Sequence, residues 1–170
     1  DLPFPARLTL ESLLRELEHF VDEMARINRD LKEVLKETKE QESIDNLRSV
    51  PGVGPITAQT FCLEIFRPER FTRAEEVTSY LGLAPMIRHS GSGKPSASIR
   101  PVGQRRLRSL LVEAAWMWKE RDQYAAGLYN RLLSRHGLTQ KAIVAVARKL
   151  AIILWRLCIE NRTYHPGTVN

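Results

Sequence analysis

Acid is missing from the middle of this chain. From Val77 to Val112 there is no aspartate or glutamate, so no local carboxylate is available there to act as a base. Cysteine is scarce as well. Cys62 and Cys158 are the only two, each in an apolar helical pattern, and they read as buried reduced thiols. A disulfide framework or a thiolate metal site is therefore not expected. No apolar run reaches the ~18 residues a membrane span needs, and no signal peptide is visible, which excludes a membrane-spanning class. The first residue is Asp1 and not methionine, so the chain is expected to be a piece of something longer.

The acid-free stretch is rich in positive charge. Arg88, Lys94, Arg100, Arg105, Arg106 and Arg108 supply six charges, equal to the net charge of +6 on all 170 residues. Ser90, Ser92, Ser96 and Ser98 lie among them, with Gly91, Gly93 and Gly103. A hydroxyl-rich, glycine-rich segment leading onto an arginine helix suits a polyanion held near a nucleophile. The rest of the charge is unevenly spread. Residues 1–46 hold 7 Lys/Arg against 12 Asp/Glu, and residues 47–170 hold 19 against 8. An acidic arm on a basic body implies that the body meets nucleic acid and the arm does not. With 43% hydrophobic and 27% charged residues, the composition is that of a globular domain with a core of its own.

Along the chain, Leu10, Leu13, Leu17, Phe20, Met24, Ile27, Leu31 and Val34 follow a 3-4 spacing. That is a heptad seam, with Thr9 placed to cap it, and it predicts a self-associating helix. The arm and linker, residues 1–46, end in the aperiodic KETKEQESIDN, read as a hinge. Residues 47–66, LRSVPGVGPITAQTFCLEIF, fit a helix-hairpin-helix. Gly52, Val53 and Gly54 make a tight turn that aims backbone N–H groups at a phosphate, and Thr57 is placed as a hydroxyl donor. Pro55 suits the first helical position. An ordinary glycine corner between two helices is the plainer alternative. RPERFTR breaks the helix, a short helix ends at Gly82, and residues 85–103 form the serine loop, in which a short hairpin around Gly91-Ser92-Gly93 is allowed. A helix from about Gln104 to Lys119 places Leu107, Leu111, Ala114, Ala115 and Trp118 inward. Its early cluster of Arg105, Arg106 and Arg108 opposes the helix dipole, as a bound phosphate would require. Asp122 starts a further helix ended by Gly137, Thr139 caps the last, and YHPGTVN reads as a frayed tail. The expected fold is all-α, a heptad helix followed by a compact bundle at residues 47–165.

Five pieces together resemble a known family. They are Leu81 to Pro85 (LGLAP), His89 to Gly91 (HSG), Ile99 to Gly103 (IRPVG), Leu107 to Ala115 (LRSLLVEAA) and Ala145 to Ala151 (AVARKLA). In combination they are similar to the C-terminal domain of insertion-sequence transposases of the 116/110/902 type, the bridge-RNA-guided recombinases. That resemblance implies a cytoplasmic DNA recombinase with a guide RNA and a serine that joins covalently to a DNA phosphate. Ser90 falls at the family's serine, with Ser92 two residues on as the fallback. The resemblance further implies an N-terminal nuclease-like domain whose four acidic residues bind Mg²⁺; this chain itself supplies no cofactor site and alone should be inert. Arg88, Lys94, Arg100, Arg105 and Arg108 would hold the DNA backbone. Pro101 stands where the family often has lysine. The competing reading is a non-enzymatic nucleic-acid-binding helix-hairpin-helix module. A third, a helical scaffold assembled through the heptad arm, leaves the acid-free stretch unexplained.

Overall fold

A computed structural model of the chain describes residues 3–37, 40–88, 96–99 and 103–166. Seven α-helices and one two-stranded hairpin are found among them, so the protein is all-α, as its periodicities predict. The chain divides into two compact units, residues 1–41 and 42–170.

The first unit is dominated by α1 (Phe4–Glu37). It begins upstream of Thr9, whose hydroxyl donates to the Pro5 carbonyl at 3.0 Å inside the helix and caps nothing. The heptad residues Leu13, Leu17, Phe20, Met24, Ile27 and Val34 are all exposed. The ion pairs Arg7–Glu11 and Arg26–Glu23 lie on its surface, where each contributes only ~0.3–0.5 kcal/mol.

The region read as a hinge is partly helical. Residues Glu40–Arg48 form α2, with Ile44 and Leu47 buried; two apolar positions three apart sufficed for one short helix. A turn leads to α3 (Pro55–Ile65), and a single 3₁₀ turn, Pro68–Arg70, separates it from α4 (Ala74–Tyr80). The hairpin follows as β1 (Pro85–Arg88) and β2 (Ser96–Ile99), antiparallel, with Pro85 opposite Ile99 and Arg88 opposite Ser96.

Three long helices complete the unit: α5 (Arg105–Arg121), α6 (Gln123–His136) and α7 (Thr139–Glu160). They pack on one another, while α3 lies on α5 and α4 on α7. The apolar stripe of α7 is wide, and Val146, Leu150, Ile153, Leu154 and Leu157 are buried against the neighbouring helices. Each such side chain contributes ~1.5–3 kcal/mol by leaving water. Trp118 is fully buried and Trp155 nearly so, its indole N–H donating to the Pro68 carbonyl at 2.9 Å. Two of the three tryptophans are thus packing residues, and Trp116 is partly exposed against Tyr129.

Asp122 caps α6 through Ala125 N–H at 3.0 Å, and Gly137 ends that helix at φ 64°. Leu138, and not Thr139, is the N-cap of α7. The tail is no loose end at Tyr164. That residue is buried, its hydroxyl donates to Asp122 Oδ2 at 2.9 Å, and its N–H donates to Ser49 Oγ at 2.7 Å. Asn46 Nδ2 donates to Asn161 Oδ1 at 2.9 Å beside it. The C-terminal segment therefore ties α7 and α6 to the end of α2, immediately ahead of the glycine turn.

Candidate nucleic-acid interface

Two features of the second unit concern the backbone, and glycine explains both. In the turn after α2, Gly52 has φ 90°, a conformation costly for residues with a Cβ. A Cβ there would lie 2.8 Å from Met117 Cβ and from Trp118 N, and 3.0 Å from the Ala114 carbonyl. Gly52 thus lets the turn rest directly on the backbone of α5. Gly54 is different. It has an ordinary extended conformation (φ −81°, ψ 171°), and a Cβ there would meet nothing within 4 Å.

Gly54 is the N-cap of α3 without a side-chain cap, and Pro55 at the first position carries no N–H. The first intrahelical bond is Ala58 N–H to the Gly54 carbonyl at 3.0 Å. The N–H groups of Ile56 and Thr57 precede it, so the geometry of an α-helix gives them no acceptor within α3. Val53 is buried, and its N–H is taken by the Val50 carbonyl at 3.0 Å. The Thr57 side chain is buried too, while that of Ile56 is exposed. Pro55 is exposed beside it.

The second feature is the root of the hairpin. α4 ends with Gly82 at φ 67°, and Leu81 and Leu83 on either side are fully buried. The Thr78 carbonyl accepts from Leu83 N–H at 2.8 Å and from Ala84 N–H at 3.1 Å, fixing the exit toward β1. The returning chain meets the same place. Gly103 has φ 97°, and a Cβ would lie 2.5 Å from the Tyr80 carbonyl and 2.7 Å from Gly82 N. The spaced glycine of IRPVG is needed because the two ends of the hairpin close on each other there.

Two arginines grip this root. Arg108 Nη1 donates to the Gly82 carbonyl at 3.5 Å, and Arg148 Nε donates to the Leu83 carbonyl at 2.9 Å. Arg148 is half-buried, and burial pulls its guanidinium below the ordinary arginine range. Sequence reading passed over Arg148, although its place beside the apolar stripe Val146–Ala147–Leu150–Ala151 was a signal. An arginine flanking a core stripe has to be bonded to something.

Arg105 and Arg106 open α5 and are exposed, with no side-chain cap from Gln104 and no acid in the first turn. The backbone of Arg88 ends β1. Ser90, Lys94 and Arg100, with the fallback Ser92 and the neighbouring His89, lie outside the described residues. By chain connectivity residues 89–95 join Arg88 to Ser96, the paired ends of the hairpin farthest from Gly82 and Gly103.

Cys62 on α3 and Cys158 on α7 are half-buried and adjacent. A hydrogen bond between the two thiols, with burial second, pushes Cys158 well above the ordinary cysteine range. Among the described residues no three His, Cys, Asp or Glu side chains come together as metal ligands. No helix among the described residues is long and apolar enough to cross a membrane.

The second unit thus combines a helix end without a side-chain cap after a glycine turn, a basic helix start and a hairpin closed at its root. Comparison with known proteins makes this specific. The family model described as Transposase IS116/IS110/IS902 family matches residues 44–130, and the chain belongs to that family. It is 30% identical over 143 residues to the transposase for insertion sequence element IS1111A of Coxiella burnetii, covering 81% of this chain and 39% of that protein. It is 29% identical over 171 residues to a probable family 20 transposase of Pseudomonas aeruginosa, covering 97% and 50%. A pilin gene-inverting protein of Moraxella bovis is 28% identical over 151 residues, covering 87% and 47%. The chain spans at most half the length of these relatives.

Proposed function

We propose that this chain is the C-terminal, strand-cleaving part of a DNA transposase, with Ser90 as its nucleophile. The observation that carries the reading is the hairpin. Its root is closed by Gly82, Gly103, Arg108 and Arg148, and Ser90 belongs to the segment joining its opposite ends. The Ser90 oxygen bonds to a DNA phosphorus as its proton passes to a base. The bond from phosphorus to a sugar oxygen breaks, and that oxygen takes a proton from an acid among the activating groups and leaves as an alcohol. A serine hydroxyl needs activation for this, and residues 77–112 contain no carboxylate. The activating groups therefore come from the part of the longer protein that its relatives possess beyond this chain, with Mg²⁺ bound there.

The turn Gly52-Val53-Gly54 and the start of α3 act as the second element of a helix-hairpin-helix. They hold a DNA phosphate through backbone N–H groups without reading bases. Arg105, Arg106 and Arg108 on α5, with Arg88, Lys94 and Arg100, supply the positive charge. The heptad face of α1 pairs with a second copy of itself as a coiled coil, since its apolar residues are exposed along the helix. A guide RNA selecting the target agrees with the family resemblance and with the basic charge.

The experiment is adduct trapping with the full-length protein, Mg²⁺ and nicked target DNA. Wild type should accumulate a covalent protein–DNA species, and Ser90→Ala should accumulate none while binding DNA about as tightly, since no charge is lost. An undiminished adduct from Ser90→Ala would overturn the assignment.

A further inference from the structure

Arg148 has a charge that the described protein does not neutralise. Its Nε is committed to the Leu83 carbonyl at 2.9 Å. Among the described residues no carboxylate lies within ion-pair distance of it; the ion pairs found there are all elsewhere. A half-buried arginine is ordinarily paired, because taking its charge out of water is costly. Here burial alone lowers its affinity for the proton, with no acid raising it. A second arginine, Arg108, reaches the adjacent Gly82 carbonyl from another helix. The guanidinium fork also fits. With Nε fixed on a carbonyl, the plane is set, and the two Nη groups retain four N–H donors suited to two oxygens of one phosphate.

We infer that Arg148 forms a phosphate-binding site at the root of the serine hairpin, taking a backbone phosphodiester of the bound DNA. The site lies outside the residues 44–130 that the family match covers. It joins α7, the core helix of the bundle, to the DNA, and it holds the strand against the hairpin whose far end carries Ser90. The inference rests on the DNA-cleaving reading only for its activity arm; its binding arm stands apart from it.

The binding arm uses this chain and a duplex of mixed sequence. Arg148→Gln should lower the magnitude of the log–log salt slope by about one, while Arg148→Lys should keep the slope and bind more weakly, because an ammonium has no fork. The activity arm uses the full-length protein. Arg148→Gln should slow covalent adduct formation about 10²-fold on ordinary DNA by letting the strand shift relative to the nucleophile. With a neutral methylphosphonate at the phosphate held by Arg148, found by scanning positions around the cleaved bond, wild type and Arg148→Gln should react equally. A merely structural arginine would give the same loss on both substrates. An unchanged salt slope in Arg148→Gln, or a loss that no methylphosphonate position abolishes, would overturn the inference. If Ser90→Ala still forms the adduct, the Ser90 reading fails, and the salt slope alone decides for Arg148.

Discussion

Replacing the two glycines of the PGVG turn by alanine should have opposite consequences. At position 52 the new methyl meets Met117 Cβ and Trp118 N at 2.8 Å and the Ala114 carbonyl at 3.0 Å, on a backbone with φ 90°. Two of the three obstacles are backbone atoms of a buried helix and cannot rotate away. The strained conformation costs ~1–3 kcal/mol, and forcing the turn off α5 costs a further ~1–3 kcal/mol. A total of about 2–6 kcal/mol is a large share of the ~5–15 kcal/mol that holds a domain together. For a unit of this size the midpoint of thermal unfolding should fall by about 6–24 °C. At position 54 the methyl meets nothing, and the change costs only the poorer N-cap, ~0.5–1 kcal/mol. That methyl does stand where a phosphate would approach the start of α3. Circular dichroism melts and DNA titrations on the same preparations separate the effects. Gly52→Ala should unfold early, and Gly54→Ala should stay folded but bind all DNA sequences more weakly. A Gly52→Ala protein melting within about 2 °C of wild type would refute the close-contact argument. A Gly54→Ala protein binding as wild type would refute the phosphate argument.

The salt dependence of duplex binding should have a log–log slope of about −3 to −4, corresponding to about four phosphates; affinity indifferent to salt would mean the charge argument is wrong. Burial and the bond to Asp122 raise the Tyr164 phenol above its ordinary range. Its contribution is therefore complete below about pH 10 and lost as pH climbs through the raised value. Tyr164→Phe should cost ~1–3 kcal/mol at neutral pH by leaving buried Asp122 short of a donor, and should flatten the alkaline fall in stability seen in pH-dependent melts. Sedimentation should show a dimer or larger species that Leu17→Glu with Met24→Glu reduces to a monomer; a wild-type monomer at high micromolar concentration would leave the α1 face without a second copy.

The sequence was most readable where the determinant is local. Gly52 and Gly103 stand in glycine motifs, and each takes a positive φ against another backbone. Asp122 and Gly137 mark the ends of α6 as their chemistry predicts. The inward face of α5 followed from the spacing of Leu107, Leu111, Ala114, Ala115 and Trp118. What escaped depends on partners distant in sequence. Tyr164 looks like part of a loose tail because its partners, Asp122 and Ser49, are 42 and 115 residues away. Arg148 is 65 residues from the carbonyl it holds. Cys62 and Cys158 were recognisable as reduced thiols in apolar patterns, but not as neighbours. Two glycines that look alike in PGVG differ in role, since only one rests on α5.

The most direct measurement is to find the atom that carries the DNA. Full-length protein trapped on nicked DNA, digested with nuclease and trypsin, should yield a nucleotide-bearing peptide containing residues 89–105; bonds after Lys94 and Arg100 precede proline and resist trypsin. Fragmentation should place the phosphodiester on Ser90, and mild alkali should remove it by elimination, as for any serine phosphoester. A nucleotide on Ser92, on a tyrosine, or on a peptide from elsewhere in the protein would contradict the account.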